Sequence, residues 1–310
     1  MLRVGFWLVA LTTCLAQAPA RGGELVVIQS ACMEPYNQAL HGIQEALAQD
    51  IPARGPKSVT EHTLQSFILS EKENPGLLCK EILQKQPDTL LVIGSSSLSL
   101  VKGIEKTPIV YLMVPFPELM AAAQDNITGI SMNIEPDREI DQLMQAAPQV
   151  KKIGLLYDPN RTEAFVQKAR KHAVKKGLTL IALPIKHASE VFNGLEKLKG
   201  RIDWFWMVPD LTVLTPQTTD FIMLFSLENR VPVLTFSDKY LDMGAVLSVS
   251  TDPRDMGRQA AELALQVMRG EEAPGRPPVQ VRKIIVKTNH QAARMLGIDL
   301  HPHKSGEQKR

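Results

Sequence analysis

Short apolar runs that alternate with helical patterns constrain the fold of this chain more than any other feature. Residues 24–30, 88–94 and 152–157 are predominantly apolar and never longer than seven residues. Such runs are typical of strands that are buried on both faces of a parallel sheet. Segments such as residues 35–49 and 161–176 instead place apolar side chains three or four positions apart, as one face of a helix requires. The alternation predicts an α/β fold whose parallel sheets are covered by helices.

The same alternation restarts near residue 128 and continues to a helical segment at residues 290–296, which Gly297 closes. A chain of 310 residues is also long enough for about two domains. We therefore predict two similar Rossmann-like α/β lobes. An eight-stranded α/β barrel is the alternative, because it has a similar length. In the first half, a strand is also predicted over residues 58–64.

The N-terminus has the composition of a secretory signal. Arg3 gives it a positive charge, residues 4–15 are apolar, and Ala18-Pro19-Ala20 supplies small residues at the cleavage position. We predict a signal peptide over residues 1–20 and a periplasmic location. A buried first element is one alternative, and lipoprotein anchoring at Cys14 is another. Later in the sequence, no stretch reaches the 18 apolar residues of a membrane-spanning helix.

The net charge and the aromatic content argue against one class of function, nucleic-acid binding, and the cysteine content leaves two alternatives for the thiols. The formal net charge is +2 and aromatic residues are 5% of the chain, which disfavours nucleic acid as the partner. Removal of residues 1–20 takes away Arg3 and no acid, so the charge falls by one to +1. Cys32 and Cys79 then remain, either as a disulfide that an oxidising compartment permits or as two free thiols.

Polar and aromatic side chains follow many of the predicted strands. Open parallel sheets bind ligands beyond the carboxyl ends of their strands, so these positions are the candidate ligand-binding residues. They are Ser30, Ser95, Ser96, Phe116, Tyr157, Asn160, Asp210, Ser237, Asp238 and Asp252.

Several of these candidate residues have either a ligand-binding or a purely structural interpretation. The turn of Ser95 and Ser96 either binds an anion or only caps a helix. Asp210 either pairs with a ligand ammonium or caps the turn that follows it, and Asp252 could likewise be a helix cap. Phe116 and Tyr157 are either walls of a cleft or core residues.

Motifs for catalysis, metals and cofactors are missing from the sequence. It contains no Gly-x-Ser-x-Gly elbow, no Walker A loop and no dinucleotide fingerprint. It also lacks Cys-x-x-Cys and His-Glu-x-x-His, and its seven histidines are scattered. We predict no enzyme, no metal and no cofactor. A Ser-His-Asp set assembled in space stays open, so an exported hydrolase is kept as an alternative.

From Asp88 to Leu300 the sequence resembles the substrate-binding proteins of ABC transporters, of the tryptophan/tyrosine type. The resemblance rests on DTLLVIGSSS, TPIVYLMV, NITGIS, KKIGLLYDPN, a strand ending in PDLTV, the block from VPVLTFSDKY to ALQVMRGE, and NHQAARMLGIDL. It implies the type I periplasmic binding-protein fold, in which two lobes are joined by a three-segment hinge. We place the hinge at residues 128–130, 250–252 and 274–280. Lobe 1 is then residues 21–128 with 253–278, lobe 2 is residues 129–250 with 280–300, and residues 301–310 form a tail.

The resemblance also suggests roles for individual residues. Ser95 and Ser96 match the ligand turn of the family, and Asp210 matches an acid that holds a ligand amino group. Further matches are Tyr157, Asn160, Ser237 and Asp238. The sequence departs from the family at Leu211, at Val114-Pro115-Phe116-Pro117 and at Pro253, which predicts a less polar cleft.

The predicted function is extracytoplasmic binding of a small solute. An amino acid or related small carboxylate would occupy the cleft between the lobes, and an ABC permease in the inner membrane would recognise the closed monomer. A ligand sensor that docks on a sensor kinase is the alternative with the same fold.

Overall fold

The computed structural model describes residues 23–50, 63–71, 74–120 and 124–301. The predicted signal peptide, Cys14 included, lies outside the described residues, as does the predicted tail after His301. No helix in the described part of the chain combines the length and the apolar character needed to cross a membrane.

The first half of the chain forms a five-stranded sheet in which every pairing is parallel. Its spatial order is β2-β1-β3-β4-β5. The strands are β1 (Glu24–Gln29), β2 (Thr63–Ile68), β3 (Thr89–Ile93), β4 (Ile109–Leu112) and β5 (Ile127–Gly129). Of the strand predicted over residues 58–64, residues 63 and 64 belong to β2, which continues to Ile68, and residues 58–62 lie outside the described residues. As an edge strand β2 is only partly buried, so its apolar signal is weak.

Helices cover both faces of this sheet, as the apolar strand runs require. The first helices are α1 (Glu34–Asp50), α2 (Pro75–Gln84) and α3 (Ser95–Val101). On one face of the sheet, Val26 and Leu90 pack with α2 and α3. On the other face, the neighbouring residues Leu25 and Leu91 pack with α1. This alternation is the two-residue period of a strand with both faces buried.

The second sheet has six strands in the order β11-β10-β9-β8-β6-β7. They are β6 (Lys152–Tyr157), β7 (Thr179–Pro184), β8 (Trp204–Trp206), β9 (Val233–Thr235), β10 (Leu247–Thr251) and β11 (Ile284–Thr288). The remaining helices are α4 (Pro136–Ala146), α5 (Pro159–Lys175), α6 (Val191–Leu198), α7 (Pro216–Asn229), α8 (Pro253–Met268) and α9 (His290–Leu296). Two sheets with helices confirm the predicted two-lobed α/β fold and replace the eight-stranded barrel.

One strand of the second sheet departs from the predicted parallel arrangement. β11 runs antiparallel to β10, with Ile284 opposite Thr251. The intervening helix α8 packs against α1, β3 and β4 of the first sheet. The chain therefore leaves the second sheet at the end of β10 and re-enters it at the same edge, which reverses the strand direction.

The chain segments that pass between the two sheets are bonded to one another. Ile130 and Val279 form a parallel bridge, in which the amide of Ser131 donates to the Val279 carbonyl at 2.8 Å. The Arg138 guanidinium of α4 donates to the carbonyl oxygens of Val281 and Arg282. The lobe bounds given above stay predictions.

Cys32 and Cys79 are free thiols, the first exposed and the second partly exposed. Of the two alternatives, the structure contains the unpaired one.

Candidate functional site

A cavity of about 160 Å³ lies where the segment after β4 faces the strand ends of the second sheet. Apolar side chains form most of its wall, and Glu139 and Arg161 are its charged lining residues among those the structure describes. The complete lining is Pro115, Phe116, Met132, Asn133, Ile134, Glu139, Arg161, Thr162, Phe165, Pro209, Phe236 and Thr251. Because it combines an apolar wall with a few polar groups, the cavity is typical of a small-molecule site.

Three phenylalanines line the cavity from different elements. Phe116 follows β4 and has a left-handed backbone with φ of 52°, which is uncommon for a bulky residue. Phe165 lies on α5 with its ring centroid 5.3 Å from that of Trp206. Phe236 follows β9 and makes an edge contact with Tyr240 at 5.5 Å. A flat apolar group would meet aromatic rings on several sides here.

Glu139 lies on the buried face of α4, where an apolar residue is expected. The buried residues of this helix recur every three or four positions, and Glu139 shares that face with Ile140 and Leu143. Its carboxyl is 2% exposed, and its Oε2 accepts a hydrogen bond from Trp206 Nε1 at 2.8 Å. Burial raises the pKa of Glu139 to about 8, against a smaller lowering by the Trp206 bond.

Arg161 brings a positive charge to the other side of the cavity. It lies in the first turn of α5, and 39% of its side chain is exposed. Its Nε lies 3.8 Å from Oδ2 of Asp158, the residue that caps this helix. The guanidinium has further donors that could bind an anionic group of a ligand.

Asp210 and Asp158 hold the strand ends of the site together. Asp210 is 1% exposed, and its Oδ2 accepts bonds from the Asp158 amide at 2.8 Å and from the Thr162 hydroxyl. Its Oδ1 accepts from the amides of Thr212 and Val213. Both oxygens of Asp210 are thus occupied by donors of the protein itself.

Asp158 completes this arrangement. It accepts from the Thr212 hydroxyl at 2.7 Å and from the Asn160 amide at 2.9 Å. These bonds, with Arg161 nearby, lower the pKa of Asp158. The network fixes the turns that carry Arg161 and Thr162 into the cavity wall.

The predicted serines of the first lobe lie outside the cavity lining. Ser30 Oγ accepts from the Ser97 amide at 2.9 Å and donates to Ser97 Oγ, so it caps the start of α3. Ser95 is half-buried and Ser96 is exposed at the same turn. Gly94 before them has a φ of 92°, and a Cβ there would meet Tyr36 and Ser30.

Two of the predicted residues of the second lobe form ion pairs. Asp238 accepts from Ser248 and Ser250 and lies 2.7 Å from Lys287, and Asp252 caps α8 and lies 2.7 Å from Lys283. Burial opposes ionisation at both carboxyls, but these partners lower the pKa of each.

The other three predicted residues are not among those that line the cavity. Tyr157 is buried, Asn160 is exposed and Ser237 is half-buried. Burial and a hydrogen bond with Glu163 raise the pKa of Tyr157.

The ten residues predicted from the sequence and the residues that line the cavity overlap at one position. Of the ten predicted residues, Phe116 lines the cavity. Pro209, Arg161, Phe236 and Thr251 line it too, and each is the chain neighbour of a predicted residue. An offset of one residue turns the side chain to the opposite side of an extended segment, and to a different face of the helix α5 that carries Asn160 and Arg161.

Glu139 and Phe165 were missed because they lie on helices, away from the strand ends. Glu139 could have been found from the sequence, because it is an acid at a position of α4 where the helical spacing predicts an apolar residue.

Comparison with known proteins gives the family of the chain. A family model described as ABC transporter substrate binding protein matches residues 26–304. A tyrosine-binding protein from Clostridioides difficile (strain R20291) is 24% identical over 148 residues, which are 47% of this chain and 42% of that protein. The match thus spans less than half the length of this relative.

Two solved structures share the fold. The ligand-free, open structure of CD0873, a substrate binding protein with adhesive properties from Clostridium difficile, aligns with a TM-score of 0.68 and 18% identity over 91% of this chain and 97% of that one. The ABC domain in complex with L-Trp from Streptococcus pneumonia aligns with a TM-score of 0.56 and 18% identity over 89% and 95% of the two chains. Since the family model covers most of its length, the chain belongs to the ABC transporter substrate-binding proteins.

Proposed function

We propose that this protein is an extracytoplasmic solute-binding protein that holds an amino acid, preferably an aromatic one, in the cavity described above. The observation that carries the proposal is the composition of the wall, which combines three phenylalanine rings with one acid and one guanidinium. A zwitterion with a flat side chain complements all three features. Arg161 would bind the carboxylate, and Phe116, Phe165 and Phe236 would surround the side chain.

The comparisons support an amino acid as the ligand. One relative is a tyrosine-binding protein, and one structural neighbour holds L-Trp. Delivery of the amino acid to an ABC permease follows from the family and belongs to the proposal, as do the signal peptide and the periplasmic location. Ligand sensing through a sensor kinase is the second candidate, and the gene beside this one, for a permease or a kinase, would discriminate between them.

Of the predicted ligand-binding residues, we propose direct contact for Phe116. Asp210 would act by positioning Thr162 and the Asp158 turn, because its own oxygens are occupied. Direct contacts by Ser30, Ser95, Ser96, Tyr157, Asn160, Ser237, Asp238 and Asp252 stay predictions.

A ligand screen tests the proposal. The protein without residues 1–20 is mixed with each of the twenty L-amino acids and with small carboxylates, and its melting temperature is followed. A ligand that binds only the folded state stabilises it by about 2.7 kcal/mol at a concentration one hundred times Kd, so tryptophan or tyrosine should raise the melting temperature by several degrees. Calorimetry then measures the affinity. If no amino acid shifts the melt or gives a binding heat, the proposal is wrong.

Arg161→Gln provides the matching variant, and Arg201→Gln is its control. Arg201 is an exposed arginine that donates to the Lys197 carbonyl outside the cavity. We expect Arg161→Gln to weaken amino-acid binding about tenfold or more, as loss of a charge-assisted bond of about 1.5–3 kcal/mol implies. Arg201→Gln should leave affinity unchanged, and equal losses in the two variants would contradict the role given to Arg161.

A further inference from the structure

Glu139 is a buried acid that has a protein donor on one of its two carboxyl oxygens. Oε2 accepts the Trp206 indole N–H, and within the described residues no donor lies at hydrogen-bond distance from Oε1. The same side chain lines the cavity. Because the side chain lines the cavity, this oxygen is available to a polar group of a ligand there.

The charged groups around Glu139 have partners of their own. Arg161, on the α5 side, lies near Asp158. At the end of β10, Asp252 pairs with Lys283, and within α4 Arg138 donates to backbone carbonyls. Further along α4 and α5, Glu135 pairs with Lys168, and Asp141 pairs with His172 and Lys176. In the described part of the chain, no cation lies within 4 Å of the Glu139 carboxylate.

Without such a cation, the carboxyl is neutral at neutral pH. Burial raises its pKa from an ordinary value of 4.5 to about 8. The indole N–H is a donor only, so the acidic proton does not compete with it and belongs to Oε1. A ligand cation that reaches this oxygen would supply the missing charge and up to three donors at once.

Resting on the proposed function, we propose that Glu139 selects ligands that carry an ammonium group and that ligand uptake releases one proton from its carboxyl. The step forms no covalent bond. The Oε1–H bond of Glu139 breaks, its proton passes to the solvent, and the carboxylate pairs with the ammonium, which keeps its own protons. An amino group thus becomes a specificity requirement of the cavity.

The proton release fixes the sign of the pH dependence. The ligand-free protein holds the proton below its pKa of about 8, and the ligand-bound protein does not. Affinity therefore rises with pH through neutrality, approaching about tenfold per pH unit well below that pKa. Above it the dependence flattens, until the ligand ammonium itself begins to lose its proton.

Calorimetry with matched ligand pairs tests the selection. The probes are L-tryptophan and L-tyrosine, beside indole-3-propionate and 3-(4-hydroxyphenyl)propionate, which lack only the amino group. We expect the amino acids to bind at least tenfold more tightly than the deaminated acids. Titrations at pH 6.5 in two buffers of different ionisation enthalpy should show release of nearly one proton per amino acid bound.

Two variants separate Glu139 from a general charge effect. Glu139→Gln keeps the acceptor for Trp206 but has no titrating group, so it should lose the tenfold preference, the proton release and the pH dependence. Glu135→Gln makes the same change one turn away, outside the cavity lining, and should behave as the unmodified protein. Equal binding of the deaminated acids, or unchanged proton release in Glu139→Gln, would overturn the inference while the amino-acid function stands.

The pH dependence of stability, measured without ligand, tests the protonation of Glu139 independently of binding. Because the folded-state pKa of Glu139 is raised, the folded protein binds more protons than the unfolded chain between pH 4.5 and 8. This contribution to stability is complete below pH 4.5 and is lost as pH rises through 8. We expect the melting temperature of Glu139→Gln to fall less over this range than that of the unmodified protein.

If the melting temperatures of Glu139→Gln and of the unmodified protein changed equally with pH, the carboxyl of Glu139 would not be neutral in the folded protein. The inference would then be wrong. If no amino acid binds at all, the proposed function fails first and the inference with it.

Discussion

Asp210 illustrates how a single buried carboxylate can hold together the turns beside a candidate site. The sequence left two roles for it, an ammonium partner or a cap. In the structure its oxygens accept four bonds, from Asp158, Thr162, Thr212 and Val213. A carboxylate with this many donors is stable when buried, because the bonds replace its water. Its effect on binding would then pass through the turns that it fixes.

Replacement of Asp210 by alanine should therefore reduce stability. Four donors, three of them in buried hydrogen bonds, would lose their acceptor, and we expect the free energy of unfolding to fall on the order of 3 kcal/mol. Urea titration of Asp210→Ala would measure this loss. Asp220→Ala, an exposed change on α7, is the control and should stay within about 0.5 kcal/mol of the unmodified protein. A similar small change at Asp210 would show that the network is not a structural requirement.

At the scale of elements, α1 and α8 make the closest helix contact in the described structure. Each contributes a glycine to it. A Cβ on Gly257 would overlap the carbonyl oxygen of Ala39, and a Cβ on Gly42 would overlap that of Arg254. Glu45 of α1 also pairs with Arg254 and Arg258 of α8. The helix that follows β10 is thus fixed onto the first lobe by backbone contact.

Gly257→Ala should destabilise the protein although alanine is the better helix former. The helix propensity of alanine is worth about 1 kcal/mol over glycine. Overlap with a backbone carbonyl forces the two helices apart, and overpacking of this kind costs about 1–3 kcal/mol. We expect a net loss, measured by thermal or urea unfolding. At Gly103 no atom lies within 4 Å of the added Cβ, so Gly103→Ala is the control, and a stabilised Gly257→Ala would contradict the tight contact.

At the scale of the whole molecule, two sheets share a site that neither completes alone. Pro115 and Phe116 reach the cavity from the end of β4, while Pro209 and Phe236 follow strands of the second sheet and Thr162 lies in the first turn of α5. The segments between the sheets are few and bonded to each other, as at Ile130 and Val279. This arrangement favours a change in the angle between the lobes over a change within either lobe.

Ligand binding should therefore make the molecule more compact. A ligand held by both lobes favours the arrangement in which they are closest, and a hinge motion achieves this without loss of core packing. Small-angle X-ray scattering with and without saturating amino acid should show a smaller radius of gyration in the bound state. An unchanged radius with confirmed binding would indicate a rigid cleft.

The fold was largely predictable from the sequence because its signals are local. The strand at residues 152–157 and the helix at residues 290–296 have the predicted bounds, since the apolar period and the capping residues depend on positions that are close in the sequence. Less of the strand β2 was predicted, because a partly exposed edge strand has no continuous apolar run. The reversal of β11 was not predictable either, since it depends on where α8 packs.

The sequence by itself determined the alternation of strands and helices, the two lobes and the strand ends beside the candidate site. The reason is that the apolar spacing typical of a strand or a helix depends only on residues that are close in the sequence. The sequence also determined the family. Tertiary structure alone decided which side chains face the cavity. Glu135, Asp137, Glu139 and Asp141 lie within one short segment, and all four are acidic residues. Only Glu139 meets Trp206 in the buried interior, because burial depends on elements that are far apart in the chain.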